Sequence, residues 1–330
     1  MVVEAKIAAA SSVRWIPANQ SLKFTLSDLT LAQFPFQAMV CDAPITSLLC
    51  SEAILPPENE VLHPLAGCVI RNFPTSGRLK SIQFTGSWLR YVPVQYRRYL
   101  VERNCDLDKY VMKFSSKSRK NLRRSVTRFA AEAGDGYWRE YRSHSEVIEF
   151  QVLAAEVSSK TYQAKLFGDQ IQVDAAERER LEALADDDNF RGYVLFHQGT
   201  PAAFALCEGS GDALLYKQPG YAPEYKHLSP GTVLLWHILE VFFADDRFRF
   251  IDFGEGEGFY KEYFSNRTIS CARVYFFRRT PILMSIVVAH YGWSFLTNVV
   301  KDRLLPGVNS RLRRLLRSRS ANAVQDIQAV

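Results

Sequence analysis

The stretch IDFGEGEGFYKEYF, from Ile251 to Phe264, gathers residue types that group transfer needs. Asp252 ends an apolar strand-like run and Glu255 follows it in a Gly-rich loop. A carboxylate so placed can receive the proton that an amine or hydroxyl nucleophile must lose. Tyr260 and Lys261 come next, a phenol and an ammonium on a short helix. A second constellation is Ser229–Pro230–Gly231–Thr232, which opens a predicted helix. A helix N-terminus offers unpaired N–H groups and a positive dipole end to a phosphate. Pro230 loses no hydrogen bond in the first turn, Gly231 lets a ligand approach the backbone, and Ser229 can cap the helix or donate to a phosphate oxygen. Gln218 and Gly220, just upstream, complete the candidate ligand-binding set.

Other chemistries are excluded by what is missing. Asp252–Phe253–Gly254 has the letters of a kinase metal loop, but no Gly-rich lid, strand lysine or H-R-D loop precedes it. Gly254, Gly256 and Gly258 lack the G-x-G-x-x-G spacing of a dinucleotide site, and Glu255 and Glu257 would repel phosphate. The six cysteines form no C-x-x-C pair and stand near no histidine at zinc-finger spacing, so neither a metal site nor a disulfide framework is expected. None of the six histidines joins a Ser or Cys in a triad motif, and His237 falls within an apolar helix, which makes it a core or surface residue.

These residues need elements to position them. Residues 1 to about 110 predict short strands (Val13–Ile16, Leu22–Leu26, Phe36–Cys41, Cys68–Asn72, Ser81–Phe84) broken by Pro and Gly. From Ser116, Leu122, Val126, Phe129, Ala130 and Ala133 recur at helical spacing and Gly134 supplies the stop. A strand (Tyr137–Tyr141) and two helices follow, one through Phe150 and Val157, the other through Leu181 and Leu184. Strands Phe190–His197, Ala202–Glu208 and Ala213–Gln218 form a meander with tight turns. Then come a helix from Thr232 to Ala244, strand Phe248–Phe253, the Gly254–Gly258 loop, a short helix through Phe264 and strand Arg273–Phe277.

The order strand, two helices, three strands, helix, strand, helix, strand matches the GNAT (N-acetyltransferase) fold. The segments YAPEYKHLSPGTVLLWHILE and FIDFGEGEGFYKEYFSN resemble the CelD-type, cellulose-biosynthesis branch of that superfamily, to which FemAB-type aminoacyl transferases are related. The resemblance extends to KSRKNLRRSVTRFAAEAG and SSKTYQAKLFG, and covers roughly Ser116 to Arg279, the length of one domain. It implies an α+β chain with three parts: residues 1–112, a smaller, degenerate GNAT-like unit; 113–280, the acyltransferase domain; and 281–330, a helical tail. It implies acetyl-CoA or another acyl-CoA as donor and an amine or hydroxyl acceptor, such as a sugar or polysaccharide precursor. Lys261 would then stabilise the developing oxyanion and Tyr260 would protonate the departing thiolate, with Asp252 and Glu255 as candidate bases. The better-known GNAT phosphate signature, a Gln or Arg followed by two glycine positions, is absent at the Ser229 turn. Two other readings stay open: an aminoacyl transferase using charged tRNA, and a non-catalytic accessory protein of a polysaccharide-synthesis complex.

A chain of 330 residues, 47% hydrophobic, can bury the cores of two such domains. Its net charge of +6 is unevenly placed. Lys301, Arg303, Arg311, Arg313, Arg314, Arg317 and Arg319 face only Asp302 in the tail, while Lys113, Lys117, Arg119, Lys120, Arg123, Arg124 and Arg128 form a second cluster without acids. The first suits peripheral contact with an anionic membrane; the second suits either phosphates or plain solvation. Pro281–Val300 is apolar, yet Ser285, His290, Ser294, Thr297 and Asn298 interrupt it, which argues against a span. The first residues, MVVEAKIAAASSVRW, lack the pattern of a secretory signal, so a cytoplasmic location is expected.

Overall fold

The computed structural model describes residues 14–26, 29–42, 65–161 and 171–304. In chain order the elements are β1 (Arg14–Leu26), β2 (Leu29–Asp42), β3 (Gly67–Pro74), β4 (Ile82–Thr85), β5 (Trp88–Glu102), α1 (Leu107–Val111), α2 (Ser116–Ala133), β6 (Trp138–Tyr141), α3 (Val147–Lys160) and α4 (Ala175–Asp186). They continue with β7 (Phe190–His197), β8 (Thr200–Ser210), β9 (Ala213–Tyr221), α5 (Pro230–Ala244), β10 (Phe250–Glu255), α6 (Phe259–Phe264), β11 (Arg267–Arg278) and α7 (Pro281–Leu304). Short 3₁₀ segments lie at His144–Glu146 and Pro223–Leu228.

The described residues fall into two compact units, Tyr96–Ser270 and a second built from residues up to Gln95 together with those from Cys271 onward. Both changes of unit lie N-terminal to the expected boundaries at 112 and 280, because β5 and β11 each change unit part-way along a strand.

In the discontinuous unit β1 and β2 form a long antiparallel hairpin, β2 runs parallel to β3 (Val40 opposite Val69), and β3 pairs antiparallel with β11 (Val69 opposite Tyr275). Helix α7 closes its core: Val287 is buried with Leu22, Phe36, Tyr91 and Phe277. Nδ1 of His290 lies 2.5 Å from the Tyr91 hydroxyl and Nε2 lies 3.1 Å from the Lys23 carbonyl. These partners define a neutral imidazole that accepts from Tyr91 and donates to Lys23.

The unit Tyr96–Ser270 carries the predicted order of elements up to the last strand, since the predicted Arg273–Phe277 belongs to the other unit. β6, β7, β8 and β9 form an antiparallel meander, β9 runs parallel to β10, and β10 pairs antiparallel with the end of β5. Helices cover both faces. Leu122, Phe129, Val233, Leu234, Ile238 and Phe242 of α2 and α5 pack with Leu195, Ala205, Leu214 and Ile251. Phe150, Val157 and Leu181 of α3 and α4 pack with Val194, Phe204 and Leu206. Burial on both sides explains why β7 and β8 read as continuous apolar runs rather than alternating ones. Each large apolar side chain that α5 buries stabilises its seat by about 2 kcal/mol, so the position of its N-terminus is fixed by the core. The local signals agree: Ser115 Oγ accepts from the Ser118 amide to start α2, and the Gly134 amide donates to Ala130 O to end it.

Candidate functional site

The candidate site begins where two parallel strands part. β9 and β10 are in register at Ala213–Phe250, Leu214–Ile251 and Leu215–Asp252, and the pairing stops there. β9 continues to Tyr221 and stays paired with β8 on its other edge, through a register shift between Leu206 and Cys207. β10 loses register with β5 between Asp252 and Glu255. The β10-facing edge of residues 216–221 therefore has no strand partner among the described residues, and its N–H and C=O groups require water or ligand. An extended, amide-bearing ligand can add there as a strand would.

At the root of this wedge sit three rings. Tyr216 and Phe253, the first residues past the pairing, have centroids 5.7 Å apart, and Tyr260 meets Phe253 at 5.7 Å and Tyr216 at 6.2 Å, all edge to face. Partial burial raises the Tyr260 pKa, so its hydroxyl stays a proton donor at neutral pH.

Asp252 and Arg98 lock the floor. Arg98 Nε donates to both carboxylate oxygens at 2.8 and 2.7 Å and Nη2 lies 2.6 Å from Oδ2, while the Gly254 amide donates to Oδ1 at 2.8 Å. Asp252 is only 2% exposed and Arg98 8%. An oxygen so engaged is not presented to a substrate, and the expectation that Asp252 acts as a base gives way to a positioning role for the loop. Gly254 and Gly256 turn the chain with φ of +73° and +92°, angles that other residues adopt only at a cost. Glu255, by contrast, is exposed. Lys261 reaches back from α6 to donate Nζ to the Glu255 carbonyl at 2.8 Å. Burial lowers its pKa, Asp252 opposes that shift, Arg98 adds to it and Glu255 opposes it. Lys261 thus both braces the loop and keeps donors for another oxygen.

At the far end of β9, Ser229 adopts left-handed angles (φ 54°, ψ 48°), unusual for a residue with a side chain. The expected side-chain cap is absent; instead its carbonyl accepts from the Thr232 and Val233 amides at 3.0 and 3.1 Å. The Ser229 hydroxyl and the Gly231 N–H thereby remain at the helix start without a backbone acceptor. A Cβ built on Gly231 would meet only Tyr221 Cδ1, at 3.7 Å, so the start of α5 touches the end of β9. Gly220 has a different reason for being glycine: a Cβ there would lie 2.4 Å from Phe204 Cε1, a packing constraint rather than a ligand contact. Gln218, half-buried on β9, pairs opposite Leu206.

The basic cluster divides. Lys113 Nζ donates to Tyr263 O at 2.9 Å and to Ser265 O, holding the C-terminal end of α6, and burial brings its pKa down to about 8. Arg119 is used by Phe114 O at 2.6 Å, and Arg128 by Glu132 at 3.0 Å. Lys117, Lys120, Arg123 and Arg124 are exposed on α2. His237 is a buried structural residue, stacked on Trp138 and bonded to Tyr137 and Glu240. Elsewhere, a concavity of about 500 Å³ lined by Asn19, Gln20, Ser21, Arg71, Arg273 and Tyr275 contains none of the candidate residues.

Sequence reasoning missed Arg98, Tyr216 and Phe253. Arg98 lies 154 residues from its partner, and no local pattern marks it. The two rings read as ordinary strand residues until the point where the strands part is known.

Residues 116–262 match the acetyltransferase (GNAT) domain family. Among solved structures the chain is similar to FemX, with 9% identity, 85% of this chain and 92% of that chain covered and a TM-score of 0.52. It is also similar to L-PGS from Bacillus licheniformis, with 12% identity, 87% and 91% covered and a TM-score of 0.46. No curated protein matches significantly. The fold is thus GNAT-like, with a GNAT domain at 116–262 and a second sheet unit that includes the N-terminal strands.

Proposed function

We propose that the GNAT domain moves an acyl group from acyl-CoA to an amine or hydroxyl, with the donor lying along the open edge of β9. The observation that carries this reading is the wedge itself: unpaired strand edge, Tyr260 at its root and the Gly231 N–H at its mouth. The edge suits an amide-bearing arm and the helix start suits a pyrophosphate. The acceptor attacks the thioester carbon and loses its proton to the exposed Glu255 carboxylate or to water. Lys261 stabilises the oxyanion, and as the C–S bond breaks Tyr260 gives its proton to the thiolate. The resemblance to the CelD-type branch supports a sugar or polysaccharide precursor as acceptor, and a CoA donor suits a cytoplasmic enzyme.

Calorimetry with CoA and acetyl-CoA tests the donor. Gly231→Val should weaken binding at least about tenfold with an unchanged melting temperature, since the added atoms clash with ligand rather than protein. Absence of binding to the unaltered protein would remove acyl-CoA. A second reading, transfer of an aminoacyl group from charged tRNA, draws on the likeness to FemX across both units and on the exposed cations of α2. Binding to tRNA that falls steeply with salt, without binding to CoA, selects it.

A further inference from the structure

Helix α7 buries one side and leaves the other bare. Leu283, Val287 and His290 face its own unit, and Trp293 Nε1 donates to Thr25 O at 2.9 Å. On the opposite arc Ile282 is 70% exposed, Val288 62%, Tyr291 42%, Phe295 63% and Leu296 55%. At 100° per residue these five fall within one half of the helix, along about 21 Å of its length. Pro281–Val300 contains no Asp, Glu, Lys or Arg, so nothing charged interrupts the face. The exposed face of α2 in the other unit, with Lys117, Lys120 and Arg124, is the ordinary solvated alternative. An uncharged apolar face of this extent on a folded surface marks contact with another apolar phase.

We infer that this face of α7 lies on an anionic lipid surface, with Tyr291 and Phe295 at the headgroup boundary and the chain beyond it drawn to the lipid phosphates. Charge chooses the occupant. The sequence directly after the face runs from Lys301 and Arg303 to Arg311, Arg313, Arg314, Arg317 and Arg319, with Asp302 as its only acid; the residues after Leu304 lie outside the described ones. An anionic leaflet attracts this segment, whereas a two-fold dimer with parallel α7 helices would bring two such segments together and repel. Among the described residues no helix is long and apolar enough to cross a membrane, which fits a helix that lies in the interface.

The test is flotation of the full chain with vesicles of phosphatidylglycerol and phosphatidylcholine, against vesicles of phosphatidylcholine alone. The protein should float with the anionic vesicles, and about 0.5 M salt should release most of it by screening. Val288→Glu with Phe295→Glu should lower binding at least about tenfold at an unchanged melting temperature, and Val288→Ser with Phe295→Ser provides the milder variant if the first misfolds. Failure to float with anionic vesicles, or equal flotation by the folded variants, overturns the inference. So does a dimer in sedimentation velocity that these substitutions dissociate, which assigns the face to a second copy.

Discussion

Two buried polar pairs, Arg98–Asp252 in one unit and Tyr91–His290 in the other, differ in kind. Arg98 and Asp252 form a bidentate ion pair, with the Gly254 amide added as a further donor to Oδ1. Tyr91 and His290 are neutral: burial pushes the Tyr91 pKa up and the His290 pKa down. A buried ion pair seldom adds stability over apolar residues of the same shape, but it fixes direction, because a bidentate contact tolerates little rotation. The neutral pair needs less desolvation and suits the attachment of a helix. The contrast assigns the charged pair to orientation of the Gly254–Gly258 loop and the neutral one to anchorage of α7.

The largest break is Arg98→Met, which leaves Asp252 buried and alone and should cost about 3–5 kcal/mol in urea unfolding. Arg98→Met with Asp252→Leu should regain most of that stability while acyl transfer stays lost. A double variant with full activity would reduce the pair to packing. Next, Lys261→Met should lower kcat about 10²-fold, roughly 2.7 kcal/mol, with little change in KM, since an ammonium on the oxyanion acts in the transition state. A loss of melting temperature with unchanged kcat would leave Lys261 only as the brace of Glu255 O. Smaller again, Tyr91→Phe strands His290 Nδ1 without its donor and should cost about 1–2 kcal/mol; a cost below a few tenths would place water at that nitrogen.

The smallest effect is a pH slope. The His290 pKa is depressed below 6.5, so the unfolded chain binds the proton more readily. Its contribution to stability is full above pH 6.5 and is lost as pH falls toward the lowered folded value. His237 has the same sign. Glu146, held down to about 2 chiefly by the Arg142 amide, loses its contribution only as pH falls from 4.5 toward 2. Stability measured between pH 7 and 5 should therefore decline, and His290→Gln should flatten that decline; an unchanged slope would clear His290.

The core unit was legible where local chemistry repeats. β7 runs over Phe190–His197 as its apolar run predicts, and α2 stops at Gly134. The wedge was partly legible, since Ser229–Thr232 and Tyr260–Lys261 are sequence-local. β5 escaped because Pro93 and the polar Gln95, Arg97 and Arg98 break its apolar run, as an edge strand or loop would. The fate of Asp252 was hidden for the same reason: a carboxylate and its distant guanidinium share no periodicity. In α7 apolar residues occupy every side, so periodicity could not separate the buried arc from the bare one.

The division of the chain has a temporal side. The GNAT-bearing unit is, among the described residues, one uninterrupted stretch, complete once Ser270 has been made. The other unit must wait, because Val69 on β3 finds its partner Tyr275 only after the whole of the first has left the ribosome. Pairings so remote in sequence close slowly and leave β3 an open edge meanwhile. Synthesis therefore completes the GNAT-bearing unit first, and β3 is the strand whose edge waits longest for its partner.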